Sequence, residues 1–183
     1  MRDYSLLLLF LSLTTTSIWS PLYLQSNLNL RVYTEAAYRI DEEIFLQGNL
    51  TYNGAAVSGN LVAVEVEDPV GDPVSMRSFQ TDSFGVFNLT FRLPSETKLG
   101  AYTVHAGSNY RGGIASSNTT FVCTYLGDID YDLKVDVGDL FLFAGSFGSG
   151  SEEPRYVQAA DLDNDGDIDT TDLTLFSQNY GKH

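Results

Sequence analysis

The C-terminal third of the sequence is an internal repeat with a fixed offset of 33 residues. Five aspartates of the first copy recur in the second, and two leucines, a phenylalanine and a glycine recur behind them. The matching pairs are Asp128 with Asp161, Asp130 with Asp163, Asp132 with Asp165, Asp136 with Asp169, Asp139 with Asp172, Leu140 with Leu173, Leu142 with Leu175, Phe143 with Phe176 and Gly148 with Gly181. Nine identities at a single offset indicate a duplicated structural unit, which restricts this part of the chain to a fold with two similar halves.

The repeat also carries most of the charge of the protein. The 183 residues have a formal net charge of −14 at pH 7, and the segment from Asp128 to Asp172 contains 13 acidic residues against two basic ones, Lys134 and Arg155. An acidic block of this density either stays disordered or is neutralised by cations. The charge argues against a nucleic-acid partner, because phosphates would be repelled.

The spacing of the aspartates in each copy is that of a 12-residue calcium loop. Such a loop offers oxygen ligands at positions 1, 3, 5, 7, 9 and 12, with position 7 acting through its backbone carbonyl and position 9 directly or through water. The first loop places Asp128, Asp130, Asp132, Lys134, Asp136 and Asp139 at these positions, and the second places Asp161, Asp163, Asp165, Asp167, Asp169 and Asp172 there. The sequence therefore predicts two calcium ions. The alternatives are a solvated acidic tail, or calcium loops that serve only to stabilise the fold.

The two loops differ at position 6, where the chain turns sharply and a positive φ is favoured. The second loop has Gly166 there, whereas the first has Leu133. A residue with a side chain is strained at positive φ by on the order of 1 kcal/mol. We therefore expect weaker calcium binding in the first loop.

Each loop is followed by a predicted helix. Apolar residues recur at helical spacing in Leu140, Phe143 and Phe147, and again in Leu173, Phe176 and Tyr180. Gly148 and Gly181 lie where helix stops are expected. We also expect the apolar position 8 of each loop, Val135 and Ile168, to pair in a short β-bridge between the loops.

Two repeats of a loop followed by a helix, with Asp at position 12, resemble a type I dockerin over residues 127–183. The resemblance implies a small all-α domain that binds two calcium ions and docks onto a cohesin-like or cell-envelope protein. By the same likeness, the partner-binding residues are Val137, Gly138, Thr170, Thr171, Ser177 and Gln178. Because Val137 and Gly138 differ from Thr170 and Thr171, we expect docking through one face only.

The segment over residues 28–125 has the pattern of an all-β domain. Short runs of alternating polarity are separated by turn signals, and roughly seven strands in about 100 residues favour a β-sandwich. The runs are Leu30 to Tyr33, Ile44 to Leu46, Leu61 to Val66, Val86 to Leu93, Tyr102 to Val104 and Thr120 to Tyr125. The predicted core residues are Phe45, Leu61, Val64, Phe87, Phe91, Tyr102 and Phe121. Cys123, the single cysteine, is expected at a buried strand position.

Two stretches of this segment resemble the Ig-like domains of macroglobulins and prokaryotic surface proteins. They run from Gln47 to Gly54 and from Thr81 to Phe87, the second with an Asp-Ser-Phe-Gly-Val-Phe hairpin. The resemblance implies an Ig-like fold and no particular function.

The first 20 residues have the features of an export signal. Arg2 precedes a short apolar run from Leu6 to Leu13, followed by small residues. The run is much shorter than the roughly 20 apolar residues that span a bilayer. We therefore expect a secreted protein, attached to the cell surface if its partner is there.

The composition does not favour an enzyme. With two histidines, His105 and His183, and one cysteine, the sequence offers no recognisable set of nucleophile, base and acid, and these residues are too few for a zinc site. One alternative is a carbohydrate-binding accessory protein that stacks sugars on Tyr52, Tyr102 or Tyr110. Another is a calcium-stabilised surface-layer or adhesive protein with no cohesin partner.

Overall fold

The computed structural model describes residues 27–40, 42–94 and 97–183. The predicted export signal lies outside these residues. In the described part, nine strands precede two helices. The strands are β1 Leu28–Thr34, β2 Ala37–Arg39, β3 Glu43–Tyr52, β4 Ala55–Ala56, β5 Leu61–Glu67, β6 Pro73–Gln80, β7 Val86–Arg92, β8 Gly100–Tyr110 and β9 Gly113–Thr124. The helices are α1 Val137–Ser146 and α2 Thr170–Asn179, with a 3-10 turn at Gln158–Ala160 between them.

The strands form two sheets. In the first, β3 pairs antiparallel with β1, β7 and the short β4. In the second, the order is β2-β9-β8-β5-β6, antiparallel except that β2 runs parallel to β9. Alternate residues of both sheets point into one apolar core, as expected for a sandwich.

Five of the seven predicted core residues are buried: Val64, Phe87, Phe91, Tyr102 and Phe121. The prediction is wrong for Phe45 and Leu61, which are 46% and 60% exposed. In a strand the facing direction alternates with every residue. Leu61 and Val64 are three positions apart and cannot share a face, and the neighbours of Phe45 on both sides fill the core instead.

Strand β6 does not correspond to any of the predicted runs. Its residues are exposed or half-buried along the whole strand, so no alternation of polarity marks it. It lies at the edge of the second sheet, where one side of a strand has no neighbour. The expected strand position of Cys123 is confirmed, since this residue is fully buried in β9.

The helical region has a separate apolar core. Phe143 of α1 stacks on Phe176 of α2, with ring centroids 5.5 Å apart. The other buried members of this core are Ile129, Val135, Ala160, Leu162 and Ile168. Leu140 and Leu173, which the helical spacing aligned with these phenylalanines, are 39% and 40% exposed.

Backbone hydrogen bonds join the two repeats reciprocally. The N–H of Val135 donates to the carbonyl of Lys182 (2.9 Å), and Gly181 donates back to Val135 (2.7 Å). In the same way, Ile168 donates to Ser149 (2.9 Å) and accepts from Gly148 (2.7 Å).

The predicted bridge between Val135 and Ile168 is therefore wrong. Each of these residues uses its backbone groups on the segment that follows the helix of the other repeat. The predicted stops are confirmed, since Gly148 and Gly181 have φ of 74° and 87° directly after the capping residues of α1 and α2. No helix among the described residues is both long and apolar enough to cross a membrane.

Candidate metal-binding site

We call residues 128–139 the first aspartate loop and residues 161–172 the second. Each loop runs into the first turn of the following helix. Asp136 is the N-cap of α1, where its carboxylate accepts from Gly138 N at 2.7 Å, and Asp169 caps α2 by accepting from Thr171 N at 2.6 Å. A carboxylate in this position is favourable because the first amides of a helix have no partner within the helix.

The aspartate at position 12 fastens the two ends of each loop together. Asp139 Oδ1 accepts from Ile129 N at 2.6 Å while its Oδ2 accepts from Asp136 N at 2.8 Å. Asp172 repeats both bonds, to Leu162 N at 2.6 Å and Asp169 N at 2.8 Å. Both side chains are almost fully buried. Their capping role is therefore inseparable from the shape of the loop.

This closure brings carboxylates together. In the first loop, ligand atoms of Asp128, Asp130 and Asp139 lie within 4.8 Å of one another. In the second loop, two such groups share a member: Asp161, Asp163 and Asp172 form one, and Asp167, Asp169 and Asp172 form the other. Carboxylate oxygens at this density suit a hard divalent cation such as calcium.

The remaining predicted ligands lie outside these groups. Lys134 donates to the carboxylate of Asp132 from its backbone N–H at 3.0 Å and from its ammonium at 3.2 Å. Asp165 accepts from Asp167 N at 3.1 Å. Asp136 is the N-cap of α1, and its carboxylate accepts from Gly138 N. Asp167, predicted to act through its backbone carbonyl, is within the groups: its carboxylate also has a ligand atom within 4.8 Å of those of Asp169 and Asp172.

The first residues of the two loops differ in a way that the sequence did not reveal. Asp161 is 2% exposed, and its Oδ1 is buried without a hydrogen-bond partner among the described residues. Its Oδ2 accepts from Tyr156 Oη at 2.7 Å and Gly166 N at 3.0 Å. A buried carboxylate oxygen without a partner is costly unless a cation satisfies it. The geometry of the second loop therefore fits a bound cation.

Asp128 is different, because both of its oxygens are used by the protein. Oδ1 accepts from Asp132 N at 3.1 Å, and Oδ2 accepts from Leu133 N at 2.9 Å and from the hydroxyl of Thr124. A cation in the first loop would compete with these donors.

Burial, a hydrogen bond and crowding of negative charge each raise the pKa of groups in or beside the loops. The carboxylate of Asp165 is the main cause that raises the pKa of Asp167. Burial is the main cause that raises the pKa of Asp128 and of Asp163. The hydrogen bond to Asp161 raises the pKa of Tyr156 to about 12. A bound divalent cation would offset the repulsion.

Backbone conformation also distinguishes the loops. Leu133 has the expected positive φ, 71°, and Gly166 at the same position has φ of 97°. Position 4 is left-handed as well, with Tyr131 at 64° and Asn164 at 59°. Asparagine tolerates this conformation better than tyrosine does, so the first loop has two unfavourable residues where the second has one tolerant residue and a glycine.

The predicted partner-binding residues lie on the helix surfaces. Val137 is 54% exposed, Gly138 is half-buried, and Thr170, Thr171, Ser177 and Gln178 are exposed. α1 also exposes apolar residues at helical spacing, which we call the α1 stripe: Val137, Leu140, Phe141 and Ala144. The equivalent residues of α2 are Thr170, Leu173, Thr174 and Ser177. Sequence analysis did not single out Phe141, which is 75% exposed.

The three tyrosines proposed for sugar stacking do not form one platform. Tyr102 is 1% exposed and stacks on Phe121, so it is unavailable to a ligand. Tyr52 and Tyr110 pack edge to face with centroids 5.5 Å apart, and the guanidinium of Arg111 lies within 6 Å of both rings.

Comparisons with known proteins agree with the two-part architecture. The family model of the MG2 domain matches residues 32–122, and that of the dockerin type I domain matches residues 126–179. None of the curated proteins compared with the chain matches it.

Solved structures are similar over about half of the chain. The tetra-tandem repeat in the extending region of a large adhesion protein is 20% identical, with a TM-score of 0.46, over 52% of this chain and 24% of that one. Salmonella alpha-2-macroglobulin reacted with methylamine is 21% identical, with a TM-score of 0.45, over 53% and 6%. Bifidobacterium dentium beta-glucuronidase complexed with coumarin-3-O-glucuronide is 14% identical, with a TM-score of 0.40, over 54% and 18%. The chain thus corresponds to about a quarter or less of each of these proteins.

Proposed function

We propose that the C-terminal domain binds calcium in both aspartate loops and attaches the chain to a protein partner. The chain carries an MG2 domain followed by this dockerin type I domain. Dockerin type I domains bind calcium and imply a protein partner, typically a cohesin, and both matched domains are non-catalytic modules. The observation that carries the proposal is the buried Asp161 Oδ1, which lacks a partner among the described residues in the middle of a carboxylate cluster.

The proposed ligands are the predicted residues of both loops. In the first they are Asp128, Asp130, Asp132, Asp136 and Asp139 with the carbonyl of Lys134. In the second they are Asp161, Asp163, Asp165, Asp169 and Asp172 with Asp167. Bound calcium would supply the positive charge that the clustered carboxylates lack, while Asp136 and Asp169 cap the first turns of α1 and α2.

Calorimetric titration of calcium into the metal-free chain tests this proposal. We expect two sites in the wild-type protein. Asp161→Ala should abolish the tighter one, because it removes the buried oxygen that has no other partner. Glu152→Gln is the matched control, since this exposed acidic residue lies between the loops and outside every carboxylate cluster. Two undisturbed sites in Asp161→Ala would contradict the ligand assignment.

For attachment, we propose that the partner contacts the α1 stripe together with the neighbouring Gly138. An exposed apolar helix face is unfavourable in water and is a common basis for protein docking. The same face of α2 has polar residues at three of its four positions, including Thr170 and Ser177. Docking therefore uses α1, and Thr171 and Gln178 lie on the helix that the partner leaves exposed.

Capture from cell-envelope extract tests the docking face. We expect Phe141→Glu to abolish calcium-dependent capture of the partner, because it places a charge in the middle of the stripe. Thr174→Glu, the same change 33 residues later on α2, should leave capture intact. Capture that persists in chelator, or equal loss in both variants, would favour a calcium-stabilised surface or adhesive protein without this docking mode.

We further propose that residues 1–20 direct export and that the mature chain is extracellular, where dockerin modules typically act. Amino-terminal sequencing of protein recovered from the medium or cell surface tests this. A mature chain that retains Met1 would contradict it.

A further inference from the structure

The two domains touch directly as well as through the chain that joins them. Three residues, 125–127, separate the end of β9 from the first aspartate loop. Tyr125 and Leu126 pack against the core of the helical region, so this joint is short and partly buried. Across it, the hydroxyl of Thr124 in β9 donates to Asp128.

The second contact is made by Arg39 at the end of β2. Its Nη1 donates to the carbonyl of Leu162 at 3.0 Å, and its Nη2 donates to the carbonyl of Asp161 at 3.2 Å. One guanidinium therefore holds two successive carbonyls of the second aspartate loop. Hydrogen bonds from a charged donor are stronger than neutral ones, and a planar guanidinium can make two at once.

Arg39 and Asp172 both hydrogen-bond to the peptide group between Asp161 and Leu162, from opposite sides. The carbonyl of Asp161 accepts from Arg39, while the amide of the following residue, Leu162, donates to Asp172 Oδ1 at 2.6 Å. Asp161 and Asp172 are themselves members of one carboxylate cluster. The orientation of this peptide therefore depends on the β-sandwich and on the proposed metal ligands together.

We infer that Arg39 is a positioning residue that makes the relative placement of the two domains depend on calcium in the second loop. This inference rests on the proposed calcium binding. With calcium held by Asp161 and Asp172, the loop would present its two carbonyls to Arg39, and Arg39 would then hold the β-sandwich in one orientation relative to α1 and α2. Such a joint would present the docking face at a fixed angle to the rest of the chain.

Distance distributions between spin labels test the joint in the full chain. Labels are placed at Ser78→Cys on β6 and Glu152→Cys between the loops, both at exposed positions, while the native Cys123 is buried. With calcium we expect a single narrow distance peak. Arg39→Ala should lose that peak and give a broad distribution even in saturating calcium, as should wild-type protein in EGTA. Arg39→Lys should give an intermediate result, because an ammonium cannot reproduce the paired geometry.

Arg77→Ala is the matched control, since Arg77 is exposed on β6, at the opposite edge of the sheet that contains β2. It should keep the narrow peak. Circular dichroism checks that each variant is folded. A narrow peak in calcium-loaded Arg39→Ala, or in EGTA, would overturn the inference. Calorimetry on the same samples separates the two proposals. Absence of calcium binding would contradict the proposed function. Normal calcium binding together with an unchanged distance peak in Arg39→Ala would contradict only the role of Arg39 in placing the two domains.

Discussion

At the residue scale, the two aspartate loops differ in backbone strain at position 6. Leu133 and Gly166 both have positive φ, and glycine alone adopts that conformation without steric cost. The strain at Leu133 has to be overcome whenever the first loop closes around an ion. The hydrogen bonds that already occupy both oxygens of Asp128 act in the same direction.

We therefore predict that Leu133→Gly tightens calcium binding in the first loop. Relief of about 1 kcal/mol corresponds to roughly a fivefold gain in affinity. Gly166→Ala is the reciprocal change and should weaken the second site by a similar factor. An added Cβ there meets only Ser151 Oγ at 3.8 Å, so the effect would come from the backbone. Calorimetry measures both affinities, and an unchanged first site in Leu133→Gly would refute the strain argument.

At the scale of single elements, β3 depends on a close contact with β7. Gly48 faces the core directly opposite Phe87, whose ring covers it. A Cβ at residue 48 would lie 2.2 Å from Phe87 Cζ and 2.6 Å from the carbonyl oxygen of Arg31. Neither contact is sterically possible without movement of the strand or the ring.

Gly48→Ala should consequently lower the free energy of unfolding of the β-sandwich by about 1–3 kcal/mol, the usual cost of overpacking a core. Gly107→Ala on β8 provides the control, because an added Cβ there meets no heavy atom within 4 Å among the described residues other than its chain neighbours. Urea denaturation followed by circular dichroism compares the two variants. Equal stability of both would show that Phe87 moves aside at no cost.

The helices differ from the strands in how they are held. α1 and α2 are each ten residues long, a length that is marginal for a helix on its own in water. Each depends on an aspartate cap that belongs to its loop, and on the stacked pair Phe143 and Phe176. The helices and the loops are therefore expected to fold and unfold together.

At the scale of the whole molecule, this coupling gives the two domains different responses to chelation. We predict that EGTA removes the helical circular dichroism while the β-sandwich keeps its signal. Trypsin should then cleave after Lys134 and Arg155, whose side chains are already exposed, because the backbone around them is no longer folded. The reason is the −11 charge of residues 128–172, which no longer has a counterion. Calcium should restore protection more effectively than equal magnesium, which demands a stricter octahedral geometry. Identical spectra and protease resistance with and without calcium would contradict this mechanism.

The sequence alone determined the features that depend on local spacing. The 33-residue repeat predicted two loops with following helices, Gly148 and Gly181 predicted their ends, and alternating runs predicted most of the strands. These signals are local, because the facing direction of a side chain in a strand or helix follows from its neighbours in the chain. The same rule, applied strictly, would have excluded Leu61 from the face that contains Val64.

Only the tertiary structure decided the features that join distant segments. Val135 pairs with the end of the other repeat and not with Ile168, because the backbone groups after each helix need partners that no local pattern specifies. The unpartnered oxygen of Asp161 depends on how Tyr156 and Gly166 approach its neighbouring oxygen. The hydrogen bonds from Arg39 to the second loop join residues more than 120 positions apart, and such contacts depend on packing in three dimensions.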